Sequence, residues 1–274
     1  MARGCRISVR GSGARRGCVV TLVERRRRSI KERASILTYM LRALFRTPRM
    51  RPETALPYET LLTNLGHKAD GGPRKIILIT STQPGEGKTT VAVNLAITGS
   101  RAGRKVLLVD CNLRHPSIHR ILGLENRIGL VDLLVGRCDA EQTIQFVNIV
   151  GDREMQKSLG VIPSGAIASE NILRLLGAPN VPVVLQALAQ NCDLLLVDAP
   201  PVLNTSDAIL MAPAVDGILF TIHAGTVEGK NALRAKEQLQ RTNTPMLGAV
   251  LNRFDQRLHG SAGASFSNPH HIQS

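Results

Sequence analysis

The chain has 274 residues, of which 43% are hydrophobic and 20% charged, enough apolar content to bury a core and too much for a wholly disordered chain. Its five cysteines, Cys5, Cys18, Cys111, Cys138 and Cys192, form no Cys-x-x-Cys pair, which argues against a zinc site or a disulfide framework and fits a reducing cytoplasm. The formal charge of +14 is uneven: residues 1–53 hold 15 basic and three acidic side chains, while the remainder holds 20 basic against 18 acidic, so the excess belongs to the extension rather than to a nucleic-acid-binding core.

Met1 to about Arg33 is rich in Arg and Gly without apolar periodicity, and it is expected to remain disordered because it offers little surface to bury. The Arg25–Arg28 run suits phosphate groups of acidic lipid or nucleic acid, or else a solvated tail; without interleaved aromatics it argues against RNA recognition by stacking. Ile30, Ala34, Leu37, Leu41, Leu44 and Phe45 recur at spacings of three and four, which predicts a basic amphipathic helix over Ile30–Phe45 that ends before Pro48. Such a helix suits an anionic membrane, a partner, or packing on the domain itself. No stretch reaches the roughly 18 uninterrupted apolar residues of a membrane span, since even Ile36–Phe45 is cut by Arg42. With no apolar run after Arg3, Arg6 and Arg10 to form a secretory leader, a cytoplasmic protein is expected, with peripheral contact at the inner membrane face left open. The division expected is an extension over 1–53, a nucleotide-binding domain over 54–258 and a flexible tail over 259–274.

After a linker around Ala69–Pro73, short Val/Ile/Leu runs alternate with helical patterns. Strands are predicted at Lys75–Ser81, Lys105–Asp110, Leu159–Pro163, Asp193–Asp198, Gly217–His223 and Leu247–Asn252. Continuous apolar strands of this kind are covered on both faces, so the fold class predicted is α/β, a doubly wound and mainly parallel sheet with its ligand site at the strand C-terminal ends.

The first predicted strand runs into Thr82-Gln-Pro-Gly-Glu-Gly-Lys-Thr-Thr90 and then a helical stretch. Strand, glycine-rich loop and helix in that order make a phosphate cradle from Pro84, Gly85, Glu86, Gly87, Lys88, Thr89 and Thr90. Backbone amides and the helix N-terminus face the anion, Lys88 reaches the β/γ oxygens, and the Thr89 hydroxyl ligates Mg²⁺. Thr82 replaces the first glycine of the usual Gly-x-x-x-x-Gly-Lys-Ser/Thr spacing. Two further strands end in acids: Asp110, followed by Cys111, Asn112, Leu113, Arg114, His115 and Pro116, and Asp198, followed by Ala199, Pro200 and Pro201. The second has the form of a Walker B strand whose carboxylate orients Mg²⁺ and its water. The predicted site is therefore Lys88 and Thr89 with the strand-end acids Asp110 and Asp198 around Mg²⁺, with ATP as the nucleotide. Arg114 suits a phosphate, a neighbouring protomer's carboxylate or a structural ion pair equally. His115 reads as solvent-facing, and His270-His271 as part of a polar tail without further metal ligands.

These residues resemble the bacterial tyrosine kinases of capsule and exopolysaccharide synthesis, within the wider group of septum-positioning and partition ATPases. The resemblance spans roughly Pro57–Asp255 and includes the Pro84–Thr90 loop, the Asp110–Pro116 run, Gly129–Gly136, Asp198–Pro201 and Gly248–Asp255, with Leu61–Leu65 like the segment preceding the kinase domain. It implies a tyrosine-directed phosphotransferase working with a membrane polysaccharide co-polymerase that activates it. It also implies a catalytic set of Lys88, Asp110 and Asp198, in which Asp110 would act as base toward an incoming tyrosine hydroxyl; Thr89, Asp110, Asn112 and Asp198 would surround Mg²⁺, and Asn252 would lie where relatives contact adenine. Partition ATPases carry an extra lysine early in the loop, where this chain has Gln83-Pro84-Gly85, which favours the kinase branch. Three departures stand out. Asn112 replaces the second aspartate of the family's Asp-x-Asp, the stretch Phe254–Ser274 has no tyrosine, and the family's ring-forming Glu-x-x-Arg-x-x-Arg falls on Leu56, Glu59 and Leu62. Tail autophosphorylation and that ring contact are accordingly not expected, while another homo-oligomer remains open.

Overall fold

The computed structural model describes residues 18–21, 52–65, 72–149, 157–166, 172–177 and 180–254. In chain order the elements are β1 (Cys18–Thr21), α1 (Pro52–Asn64), β2 (Ile76–Ser81), α2 (Lys88–Arg101), β3 (Val106–Asp110), α3 (Ile118–Leu122), α4 (Leu130–Leu134), α5 (Ala140–Thr143), β4 (Gln145–Ile149), β5 (Lys157–Ile162), α6 (Ile172–Leu176), α7 (Asn180–Gln190), β6 (Leu194–Asp198), α8 (Asp207–Met211), β7 (Gly217–His223), α9 (Gly229–Gln240) and β8 (Met246–Asn252). They form one sheet in the order β1-β8-β7-β2-β6-β3-β5-β4. Every neighbouring pair is parallel except β4 against β5.

The central strands β2, β3 and β6 are buried throughout because each presents both faces to packed helices. Along β2, Ile77 and Ile79 join the layer of α2, with Val91, Leu95 and Ala96, while Ile76 and Leu78 join the opposite layer of α7 and α8, with Leu185, Leu188 and Met211. β3 and β6 alternate in the same way. The chain steps from β2 through α2 to β3 on one side and from β6 through α8 to β7 on the other. Their C-terminal ends therefore converge at a crevice beside β2, the usual ligand position of a doubly wound sheet.

Helix α1 is tied to this core by Tyr58, Leu61 and Leu62, with Leu65 just beyond its end, all buried, and the Asn94 side-chain amide donates to the Tyr58 hydroxyl at 3.1 Å. At the opposite end of the strands, Asp216 accepts from the Lys75 and Ile76 amides at 2.8 and 3.0 Å, and Asp193 accepts from the Lys105 amide at 2.8 Å. These carboxylates satisfy strand-entry donors that would otherwise lack partners.

All six predicted strands are present, and the doubly wound, mainly parallel expectation holds. Two strands were not foreseen. β4 alternates between buried Val147 and Ile149 and exposed Phe146 and Asn148, the period-two signature of an edge strand with one solvated face. β1 corrects the expectation that everything before Arg33 lacks regular structure: Cys18–Thr21 runs parallel to β8, where the free edge offers unpaired backbone groups. The boundary drawn between 53 and 54 falls inside α1, which already begins at Pro52. The predicted helix Ile30–Phe45 and the tail 259–274 lie outside the described residues. Among the described residues, no helix is long and apolar enough to cross a membrane.

Candidate functional site

The loop joining β2 to α2 turns on two glycines with left-handed backbone, Gly85 at φ 85° and Gly87 at φ 88°. Gly87 is doubly constrained, since a Cβ there would lie 2.0 Å from Asn252 Nδ2. It also caps α2, whose first residues are Lys88 and Thr89, so the positive end of the helix dipole lies at the loop. Pro84, Gly85 and Thr90 are exposed along the loop.

Glu86 differs from its loop neighbours. Only 3% of it is exposed, and its carboxylate turns inward to accept from the Gln83 amide at 2.6 Å, the Thr82 amide at 3.4 Å and the His223 amide. Burial pushes its pKa up while these donors pull it down. Asn252 Nδ2 donates to the Glu86 carbonyl at 2.9 Å, and its Oδ1 accepts from the Arg253 amide at 2.9 Å. Glu86 and Asn252 thus brace the loop against the ends of β7 and β8. The geometry gives their side chains positioning work within the protein, where the sequence had grouped both with the nucleotide contacts.

Asp110 and Asp198 are direct register partners on the adjacent strands β3 and β6, both with no exposure. Parallel strands lie only about 4.8 Å apart, so two carboxylates meet in a low-dielectric crevice. Thr89 Oγ1 donates to Asp198 Oδ2 at 2.7 Å, and Lys88 Nζ lies 3.5 Å from Asp198 Oδ1 and 3.1 Å from Thr89 Oγ1. Asp110 Oδ2 accepts from the Ser117 and Ile118 amides, each at 3.0 Å, and its Oδ1 from the Asn112 amide at 3.2 Å. Burial and the neighbouring Asp198 charge nevertheless raise the Asp110 pKa to about 7. Burial raises Asp198 as well, opposed by Lys88 and Thr89.

Asn112 follows in the turn after β3, two residues beyond Asp110. Its Nδ2 donates to the His115 carbonyl at 3.0 Å, while its Oδ1 is buried without a hydrogen-bond partner. A hydroxyl, two carboxylates and one free amide oxygen are hard oxygen donors, the set a Mg²⁺ ion takes when phosphates and waters supply its other ligands. The residues present therefore fit the Mg²⁺ and nucleotide expected from the motifs. The orphaned Asn112 oxygen and the under-compensated carboxylate pair are what a cation would relieve. Among the described residues no cluster of three or more His, Cys, Asp or Glu offers a different metal centre.

Lys88, Thr89, Asp110 and Asp198 lie together at the strand ends, and Asn112 is joined to Asp110 through its backbone amide. Arg114 resolves to an ion pair with Asp207, its Nε and Nη2 at 2.9 and 3.1 Å from the two carboxylate oxygens. His115 is exposed. Two members of the surroundings went unread in the sequence. Ser117 gives Asp110 its amide and places its hydroxyl 3.5 Å from Thr89 Oγ1, but belongs to no motif. Asp207 is signalled only by the Asn204-Thr205-Ser206 run ahead of α8, which reads as an ordinary helix start.

A glycine cradle feeding a helix, with acids on two adjacent strand ends, defines a P-loop nucleotide site. The chain belongs to the CobQ/CobB/MinD/ParA nucleotide binding domain family, whose model matches residues 77–266. It is 34% identical over 206 residues to tyrosine-protein kinase YwqD of Bacillus subtilis (strain 168), which covers 75% of this chain and 84% of that protein. The kinase domain of Escherichia coli tyrosine kinase ETK aligns with a TM-score of 0.66 at 25% identity, over 76% of this chain and 84% of that one. The septum site-determining protein MinD of Pyrococcus horikoshii OT3, solved with Mg-ADP, aligns with a TM-score of 0.56 at 26% identity, over 66% and 71%. The resemblance to bacterial tyrosine kinases and the P-loop fold both hold.

Proposed function

We propose that this chain is an ATP- and Mg²⁺-dependent phosphotransferase of the bacterial tyrosine-kinase type. It passes the γ-phosphoryl group of ATP to a protein tyrosine and acts with a membrane polysaccharide co-polymerase in capsular or exopolysaccharide synthesis, from the cytoplasmic side of the membrane. The observation that carries this reading is the register pairing of Asp110 with Asp198 above the Lys88–Thr89 helix start. Lys88 supplies charge to the β/γ oxygens, and the amides around Gly85 and Gly87 hold the phosphates. Thr89, Asp198 and the free Asn112 oxygen would hold Mg²⁺, which when bound neutralises charge on the transferred group. Asp110, buried beside Asp198 at the strand end, is the carboxylate that takes the proton of the incoming hydroxyl.

The test is phosphotyrosine formation on the purified protein and on candidate partners, with ATP and Mg²⁺, in the presence and absence of the cytoplasmic segment of the co-polymerase. Lys88→Met should lower transfer by at least about 10²-fold, the scale of losing one transition-state charge contact. Transfer that survives Lys88→Met, or ATP binding that is absent in the wild type, would overturn the reading.

A second reading, a nucleotide-controlled regulatory ATPase that does not phosphorylate tyrosine, is favoured by Asn112 standing where the kinases carry a second aspartate. Asn112→Asp separates the two. On the regulatory reading it switches on tyrosine transfer that the wild type lacks; on the kinase reading the wild type already transfers.

A further inference from the structure

The ion pair between Arg114 and Asp207 lies outside the roles assigned so far. Asp207 is fully buried at the first position of α8, and the Arg114 guanidinium engages both of its oxygens, with a third of the arginine side chain exposed. The two residues lie on the segments that leave the adjacent strands β3 and β6, Asp207 where its segment enters α8. Arg114 sits within the turn after β3 that wraps Asp110, a turn closed by the Asn112 side chain on the His115 carbonyl and by the His115 amide on the Asn112 carbonyl at 3.1 Å. Asp207 ends the segment that follows Asp198. That segment is seated on the start of the phosphate loop by the Val202 amide on the Ser81 carbonyl at 2.9 Å and the Leu203 amide on the Thr82 carbonyl at 3.3 Å. The ion pair therefore closes a ring through the phosphate loop, the Asp198 segment, Arg114 and the Asn112 turn.

We propose that Arg114 and Asp207 are positioning residues that hold the Asn112 oxygen and Asp110 in register with Asp198 and Thr89, and thereby set how tightly the site takes Mg²⁺ with a nucleotide. This rests on the nucleotide reading above. A bidentate guanidinium–carboxylate pair has one fixed geometry, so it transmits position as well as charge. Lysine keeps the charge and loses the fork.

The test is calorimetry of ADP binding to the full chain, in EDTA and across a Mg²⁺ titration, for wild type, Arg114→Lys, Arg114→Gln and Asp207→Asn. Each variant is expected to need about tenfold more Mg²⁺ for half-maximal tightening of ADP binding, the scale of one charge-assisted contact, while its affinity for ADP in EDTA stays within about twofold. Arg114→Gln combined with Asp207→Asn is expected to be no worse than either change alone, because the two act as one unit. An unchanged Mg²⁺ requirement in Arg114→Lys overturns the proposal even if its melting temperature falls, since that pattern marks a purely structural ion pair. Equal losses with and without Mg²⁺ overturn it too, as general disorder of the loop. If Asp207→Asn fails to fold, Arg114→Lys, altered at a partly exposed side chain, still decides. Wild-type protein that binds no ADP under any condition removes the nucleotide reading itself, and the clamp with it.

Discussion

At the N-terminal edge of the strands Asp216 receives two backbone amides and Asp193 one, each at 2.8–3.0 Å, and these acids close off donors that strand ends leave open. At the C-terminal edge Asp110 and Asp198 face each other in register with no exposure, and both pKa values are raised. One residue type on the same sheet thus serves two ends: one edge matches each carboxylate to donors, and the other stacks carboxylates beyond what its donors and single lysine offset. Uncompensated buried charge costs stability unless something pairs with it, so its presence at one edge alone marks where a cation and a phosphate belong. The unpartnered Asn112 oxygen sits at that same edge.

The contrast breaks most sharply at Gly87. Gly87→Ala puts an L-residue at φ 88° with a methyl 2.0 Å from Asn252 Nδ2, so the loop must shift. Strain of about 1–3 kcal/mol is expected, with nucleotide affinity falling more than about tenfold. Calorimetry of ADP binding alongside a melt checks both, and unchanged affinity would mean that the loop does not cradle phosphate. At the other edge, Asp216→Ala removes the acceptor for two amides and should cost about 1–3 kcal/mol in urea unfolding. It should leave ADP affinity unaltered, and any matching loss of affinity would show that the two ends are not separable.

The last test sharpens the comparison through pH. A carboxyl whose folded pKa is raised from 3.8 to about 7 binds more protons folded than unfolded, so the contribution of Asp110 to stability falls as pH rises from about 4 through about 7. Without a divalent cation, the melting temperature should therefore drop more steeply between pH 5 and pH 8 in wild type than in Asp110→Asn. Addition of Mg²⁺ and ADP should flatten the wild-type slope. Identical slopes for the two proteins would show that Asp110 is not frustrated.

Much of this could be read from the chain itself. The strand–glycine–helix order around Lys88 and the acids closing two Val/Leu runs are local patterns, and local patterns survive in sequence because backbone geometry and burial impose them residue by residue. The edge strand β4 was legible in principle in the alternation from Gln145 to Ile149, but five residues compete poorly with longer apolar runs. The role of Glu86 was not legible. Within the motif it reads as one more loop residue, and only the meeting of β7 with the loop shows its carboxylate turned inward onto backbone amides.

By itself the sequence determined the fold class, the phosphate loop, and the two strands whose ends carry acids, since each follows from composition and spacing along a few neighbouring residues. Only the tertiary structure decided that Asp110 and Asp198 are register partners, that Asn252 holds the Glu86 carbonyl, and that Arg114 closes on Asp207. Those three relations join segments far apart in the chain, and strand order and register, set by how the whole core packs, are what bring them within hydrogen-bond reach.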